Sequence, residues 1–142
     1  MGKKPERFYR QSAVIPYRIT GNKIEIMLIT SIRKGRWVVP KGIIEPGLSA
    51  KESACKEALE EAGIIGDVPS TPIGRYSYAK WGGQCRVKVF TMKVNTVFAG
   101  WPEEFVRKRR WMTVKAAADS VKEPELRRLI LALPRAIGKA KS

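Results

Sequence analysis

The chain has 142 residues, 44% of them apolar and 29% charged, which is enough for a sizeable core in one domain and too apolar for a disordered chain. Lys and Arg outnumber Asp and Glu by 28 to 13, and the net charge of +15 attracts polyanions such as nucleic acid or phosphorylated metabolites. The absence of histidine, with only Cys55 and Cys85 as thiols, excludes Ser-His-Asp and Cys-His catalysis, His-ligated zinc and a disulfide framework. The two cysteines make a reduced, cytoplasmic setting the expectation. No apolar run approaches the roughly 18 residues that cross a bilayer. Met1–Arg7 carries charges with no apolar stretch behind them, so no secretory signal is expected there.

In chain order, residues 11–19 read as a strand, Thr20-Gly21-Asn22-Lys23 as a turn, and residues 24–32 as a second strand, giving a hairpin. Ser31 to Arg36 is a basic loop. Trp37-Val38-Val39 is a short strand stopped by Pro40, and residues 41–48 form a loop containing Gly42, Pro46 and Gly47. A helix over 50–62 follows, with Ser49 and Glu52 spaced as a capping box and Gly63 at the C′ position. Residues 75–79 and 86–94 read as strands around Trp81-Gly82-Gly83. Residues 102–107 form a loop, 110–114 a strand and 124–133 a helix, with a frayed basic tail over 138–142. More strands than helices, with one long helix in mid-chain, predict a mixed sheet with helices packed on it, an α+β fold.

Charge is unevenly spread. Residues 42–67 carry two lysines against six acids, net −4, which leaves +19 on the rest of the chain. At 100° per residue, Ala54, Cys55, Ala58, Leu59 and Ala62 fall on one arc of the helix, expected to face the core, and Glu57, Glu60 and Glu61 fall opposite with Ser53. Three acids at i, i+3 and i+4 repel one another. They also crowd the C-terminal half of the helix, where the macrodipole favours cations. A divalent cation offsets both effects, because hard cations take carboxylate oxygens. Gly42 and Gly47 let the preceding loop bring backbone groups close to a ligand. Acids that hold metal, beside basic segments that hold phosphates, are the parts that phosphoanhydride hydrolysis needs.

These residues resemble the Nudix box, G-x5-E-x7-R-E-U-x-E-E-x-G-U with U a bulky aliphatic. The 23-residue span from Gly42 to Ile64 matches at Gly42, Glu57, Glu60, Glu61, Gly63 and Ile64. It departs at Leu48 (Glu in the family), Lys56 (Arg) and the small Ala58. Trp37-Val38-Val39-Pro40-Lys41-Gly42, Glu61-Ala62-Gly63 and Lys108-Arg109-Arg110-Trp111 are similar to the diphosphoinositol polyphosphate and diadenosine polyphosphate hydrolase branch.

The resemblance implies an α/β/α sandwich around a mixed β-sheet, as one domain over 1–142 with flexible basic ends at about 1–9 and 138–142. It implies Mg²⁺ or Mn²⁺ held by Glu57, Glu61 and the Lys41 backbone carbonyl, Glu60 as proton acceptor, and phosphates held by Arg10, Ser31, Arg33 and Lys122. Glu103 and Glu104, two acids in a late loop, are candidate auxiliary groups. In the family the residues matching Leu48 and Lys56 pair and orient the metal-binding acids, so their alteration implies a slower enzyme. The expected activity is metal-dependent cleavage of a phosphoanhydride in a nucleoside-diphosphate-linked or polyphosphate substrate, with diadenosine polyphosphates and inositol pyrophosphates in front. The alternatives are hydrolysis of RNA 5′ ends and a non-catalytic fold that binds nucleotide or nucleic acid. Cys55 is expected to be a small core residue.

Overall fold

The structure is a computed structural model that describes residues 7–140, with side chains through Gly138. A mixed sheet is built from β1 (Phe8–Thr20), β2 (Lys23–Thr30), β3 (Trp37–Val38), β4 (Lys41–Ile43), β5 (Ile64–Asp67), β6 (Gly74–Lys80), β7 (Gly83–Val97) and β8 (Arg109–Thr113). Three helices complete it: α1 (Ala50–Ala62), α2 (Val114–Ser120) and α3 (Pro124–Ala140). The main strand order is β3-β2-β1-β7-β5, with β4 on β1, β6 on β7 and β8 on β2. β1 runs parallel to β7 from Phe8↔Gln84 to Tyr17↔Lys93. Pro16 is tolerated in this long strand because β4 pairs only Gln11 to Ala13 and the β2 ladder starts at Tyr17.

The pleat divides the core. Odd positions Ala13, Ile15 and Tyr17, with Ile26, Leu28, Val87 and Val89, pack against Ala117, Leu126, Ile130 and Leu133 of α2 and α3. Even positions Val14, Phe90 and Met92, with Met27 and Ile29, pack against Ala54, Ala58 and Ala62 of α1. Each fully buried Ile, Leu or Phe contributes roughly 1.5–3 kcal/mol by removal from water. The expected sandwich of helices on both faces of a mixed sheet is therefore present. No helix among the described residues is long and apolar enough to cross a membrane. Cys55 and Cys85 are both free thiols.

Several expectations change. β4 lies inside the stretch expected to be a loop. Lys41-Gly42-Ile43 has weak intrinsic strand preference, and it is pairing with Gln11 to Ala13 that extends it. β5 and α2 were not expected at all. β5 is four residues long and contains a bulge at Ile65/Gly66, and α2 is a seven-residue, Ala-rich helix of nearly two turns capped by the Thr113 hydroxyl. α3 passes through Pro134 to Ala140 rather than stopping at 133, so residues 138–140 are helical, and β1 takes in Phe8 and Tyr9. Residues 1–6 and 141–142 of the expected flexible ends lie outside the described residues.

Candidate active site

The loop ahead of α1 is set by its own polar groups. Ser49 Oγ accepts from the Glu52 amide at 3.1 Å and the Glu52 carboxylate accepts from the Ser49 amide at 2.9 Å, the reciprocal capping box expected of the sequence. Gly63 ends the helix at φ +65° with its amide on the Leu59 carbonyl. No basic residue lies in the last turn of α1. The cation arrives from β8 instead: Arg109 Nη1 donates to the Ala62 carbonyl at 2.8 Å, and its guanidinium stacks 3.8 Å from the Trp101 ring. Trp101 Nε1 donates to the Glu61 carbonyl at 3.0 Å. These donors serve the negative end of the helix, where the acids make it least favourable.

α1 is turned relative to expectation. Ser53, Ala54, Ala58, Glu61 and Ala62 are buried, Cys55 is half-buried and Leu59 is 40% exposed. The buried arc lies roughly a quarter turn from the one that apolar residues alone select. Small alanines let the helix sit close to the sheet, and specific donors hold Ser53 and Glu61 against it. Ser53 Oγ accepts from the Glu45 amide at 3.1 Å. Glu61 Oε1 accepts from the Lys41 amide at 3.2 Å, and its other oxygen lies 3.6 Å from Arg107 Nη2.

Glu57 and Glu61, one turn apart, therefore both face β4. Their carboxyls lie within hydrogen-bond reach of each other. Burial, then the bond to Glu57, pushes Glu61 up to about 8, and burial raises Glu57 as well. A Cβ on Gly42 would run into the Glu57 carboxylate, so only glycine leaves room for that side chain over the strand. The register puts Val14 and Pro40, and Arg10 and Ile44, in hydrogen-bonded positions, so Lys41 falls between them with its N–H turned out of the ladder onto Glu61. The C=O of a strand residue leaves on the same side as its N–H, which puts the Lys41 carbonyl at the edge where Glu61 sits. Ser12 pairs with Gly42 and is wholly buried, and its hydroxyl has no partner. No cluster of three acids or cysteines forms a metal cage among the described residues. The fit to a hard cation rests instead on two repelling carboxylates, one outward carbonyl and a nearby orphan hydroxyl.

This edge forms one wall of an open cleft of about 1220 Å³. Ser31, Arg33, Lys41, Lys122, Glu57 and Glu61 all line it. Arg33 and Lys122 are exposed cations, the first from the loop between β2 and β3 and the second from the loop between α2 and α3. The Ser31 hydroxyl is occupied in bracing the basic loop, accepting from the Arg36 amide at 3.0 Å.

Other expected residues are not brought in. Arg10 does not line the cleft: it is an even position of β1 and projects on the α1 side of the sheet, whereas its neighbour Gln11 does line it. Glu60 is also absent from the lining. It sits about 100° round the helix from Glu61, on the flank. Glu103 lies one step behind the site, its carboxylate accepting from Arg107 Nε at 2.8 Å and its amide donating to the Glu60 carbonyl at 3.1 Å. Glu104 does not line the cleft and turns toward Gly100 and Arg109.

Two residues that sequence reasoning missed, Arg107 and Tyr78, line the cleft, as does the side chain of Lys41, which was expected there only through its carbonyl. Arg107, nearly buried, ties Glu103 and the Thr30 carbonyl to the edge of Glu61. In the run from Arg107 to Arg110 nothing marks it apart from its neighbours except its i,i+4 spacing to Glu103. The Lys41 side chain lies in the cleft 5.2 Å from the Tyr78 ring, its ammonium lowered by burial against the pull of Glu61 and Glu123. Tyr78 donates to Gln11 Oε1 at 2.7 Å, and its position was legible only as a strand residue.

The expected loss of the ion pair at Leu48 and Lys56 is also revised. Lys56 Nζ reaches both oxygens of Glu45, at 2.9 and 3.0 Å. The clamp between loop and helix is moved by three residues rather than lost.

An acid pair on this loop-helix unit faces a cation-lined cleft, and known proteins share the fold that holds it. Residues 9–133 match the NUDIX domain. The chain belongs to the NUDIX family. It is 32% identical to Nudix hydrolase 13, mitochondrial, of Arabidopsis thaliana, over 76% of this chain and 64% of that protein. It is 29% identical to diphosphoinositol polyphosphate phosphohydrolase 3-beta of Bos taurus, over 80% of this chain and 69% of that one. The chain thus spans just under two thirds of the Arabidopsis relative. Among solved structures, a C. elegans Ap4A hydrolase superposes with a TM-score of 0.80 at 22% identity, covering 92% of this chain and 98% of that one. It shares the NUDIX fold described here.

Proposed function

We propose that this NUDIX protein is a divalent-metal-dependent phosphoanhydride hydrolase acting on a nucleoside-diphosphate-linked or polyphosphate substrate. The observation that carries this reading is the Glu57–Glu61 pair facing β4 in a cleft otherwise rich in cations. Glu57, Glu61 and the Lys41 carbonyl would hold Mg²⁺ or Mn²⁺, which when bound neutralises phosphate charge and makes a bound water acidic. Arg107 holds Glu61 in place from behind. Lys41, Arg33 and Lys122 bind the remaining phosphates, and the braced loop of Ser31 positions Arg33. The names of the bovine and nematode relatives support inositol pyrophosphates and diadenosine polyphosphates as the first substrates to test. The two free thiols support a reducing compartment such as the cytoplasm.

The test is a phosphate-release panel with diadenosine polyphosphates, inositol pyrophosphate, nucleoside triphosphates and sugar nucleotides, with Mg²⁺ or Mn²⁺ across a salt series. Hydrolysis is expected, with KM rising steeply with salt and most steeply for the longest polyphosphate. No release from any of these compounds sinks the reading. Glu60→Gln and Glu103→Gln, measured across pH, identify the proton acceptor: its loss removes the acidic limb of the rate profile.

The Glu45–Lys56 clamp makes its own prediction. Both side chains are about half exposed, so the pair adds little to stability. Glu45→Ala is nonetheless expected to lower kcat/KM by about threefold to tenfold, because small misplacements of the acids cost rate. Leu48→Glu should restore rate in the Glu45→Ala background and change little in the wild type, since either carboxylate can meet Lys56. Wild-type kinetics for Glu45→Ala would show that the clamp does not position the acids.

A further inference from the structure

On β1 and β7, the sheet face on the α1 side is packed into the core at Val14, Phe90 and Met92. Beyond them, the same face carries Phe8, Arg10, Arg75, Ser77, Arg86 and Lys88. The register places them together: Arg10↔Arg86 on β1 and β7, Ser77↔Arg86 and Arg75↔Lys88 on β6 and β7. Paired residues in a sheet point to one face. The contact between Phe8 and Arg86 agrees, with the guanidinium 3.8 Å from the ring centroid. Phe8 is 45% exposed, Arg10, Arg75 and Arg86 are exposed, and Lys88 is half-buried. None of the four cations joins an ion pair among the described residues, and none lines the cleft.

We infer that this face binds single-stranded nucleic acid, separately from the cleft. Four cations without counter-charge lie on three adjacent strands about 4.8 Å apart, with same-face residues about 6.8 Å apart along each strand. That is an open, extended array, suited to a backbone with a charge at every step rather than to a small anion, which needs enclosure. The Arg86 guanidinium sits over the Phe8 ring at the exposed end of the face, and Phe8 and Arg86 are the side-chain types on which unpaired bases stack. A membrane surface is disfavoured because insertion needs several apolar side chains and, among the described residues, the face offers Phe8 alone. This surface also gives Arg10 a place, since it does not line the cleft.

The inference does not depend on the hydrolase reading, and its test uses a ligand that cannot be a substrate. The intact protein is titrated with a labelled 5′-hydroxyl oligouridylate of about 12 nucleotides, followed by anisotropy across a salt series. The wild type should bind with a steep salt dependence. The variant Arg75→Ala, Arg86→Ala, Lys88→Ala should weaken binding by roughly a hundredfold at low salt and flatten the log–log slope by about 2, while phosphoanhydride hydrolysis stays unchanged. Arg75→Glu alone, at an exposed position, should move affinity in the same direction and covers failure of the triple variant to fold. Phe8→Ala should cost about tenfold with the slope unchanged. Unchanged affinity in these variants overturns the inference. So does loss of binding in Arg33→Ala, Lys122→Ala with the face intact, or binding of phosphatidylserine vesicles in place of the oligonucleotide.

Discussion

Glu57→Gln and Glu61→Gln should each lower turnover by roughly 10²–10⁴-fold, since a metal-site ligand supports several kcal/mol of transition-state charge stabilisation and each 1.36 kcal/mol is tenfold. The fold should survive both changes. Gln at 61 still offers an oxygen to the Lys41 amide, which Glu61 accepts at 3.2 Å, and it removes one of two carboxylates crowded against β4. Without added metal, Glu61→Gln should therefore melt at or above the wild-type temperature. Rate falling while stability holds or rises is the signature of a residue kept for chemistry against its structural cost. Wild-type rates from both single variants in limiting Mg²⁺ would falsify the metal-site assignment. Rate loss with an equal loss of Tm would make the pair structural.

The second large effect is on stability against pH in metal-free protein. Glu61 is raised from its ordinary 4.5 to about 8, with burial the main cause. Below pH 4.5 the folded and unfolded states both carry the proton. Between 4.5 and about 8 the unfolded chain gives it up while the folded protein keeps it, so stability falls as pH rises through that window. Glu57 is shifted the same way and adds to the fall. Thermal melts from pH 5 to 8.5 in chelator should show a declining Tm. Mg²⁺ should restore Tm most at the alkaline end, because the ion then binds a carboxylate pair already free of its proton. Glu61→Gln should lose most of both the decline and the rescue. A flat wild-type profile with no effect of Mg²⁺ would mean that the two acids are solvated and hold no cation.

Much of the site was readable in the chain. Glu57 and Glu61 stand one turn apart on one helix that Gly63 ends, and a helix turns spacing into geometry by itself. The capping box of Ser49 and Glu52 marks where that helix starts, and Gly63 marks where it ends. Both are local hydrogen-bond requirements that any tertiary setting must meet. The absence of histidine and the acidic island within a basic chain narrowed the chemistry before any contact was known.

What the residues could not show is set by partners far along the chain. The rotation of α1 depends on the Lys41 amide and on Arg107, 20 and 46 positions from Glu61. A periodicity count that weighs only side-chain hydropathy puts Leu59 inward and Glu61 outward. β4 is a strand only because β1 lies beside it, and the Glu45–Lys56 clamp exists only because the loop folds back over the helix. The placing of Arg10 away from the cleft, beside Arg75, Arg86 and Lys88, follows from the pleat, where a step of one residue moves a side chain to the other face of the sheet. Charge and spacing along the chain thus determined the kind of chemistry, while strand register and long-range donors decided which acids meet, which cations face them, and which face away.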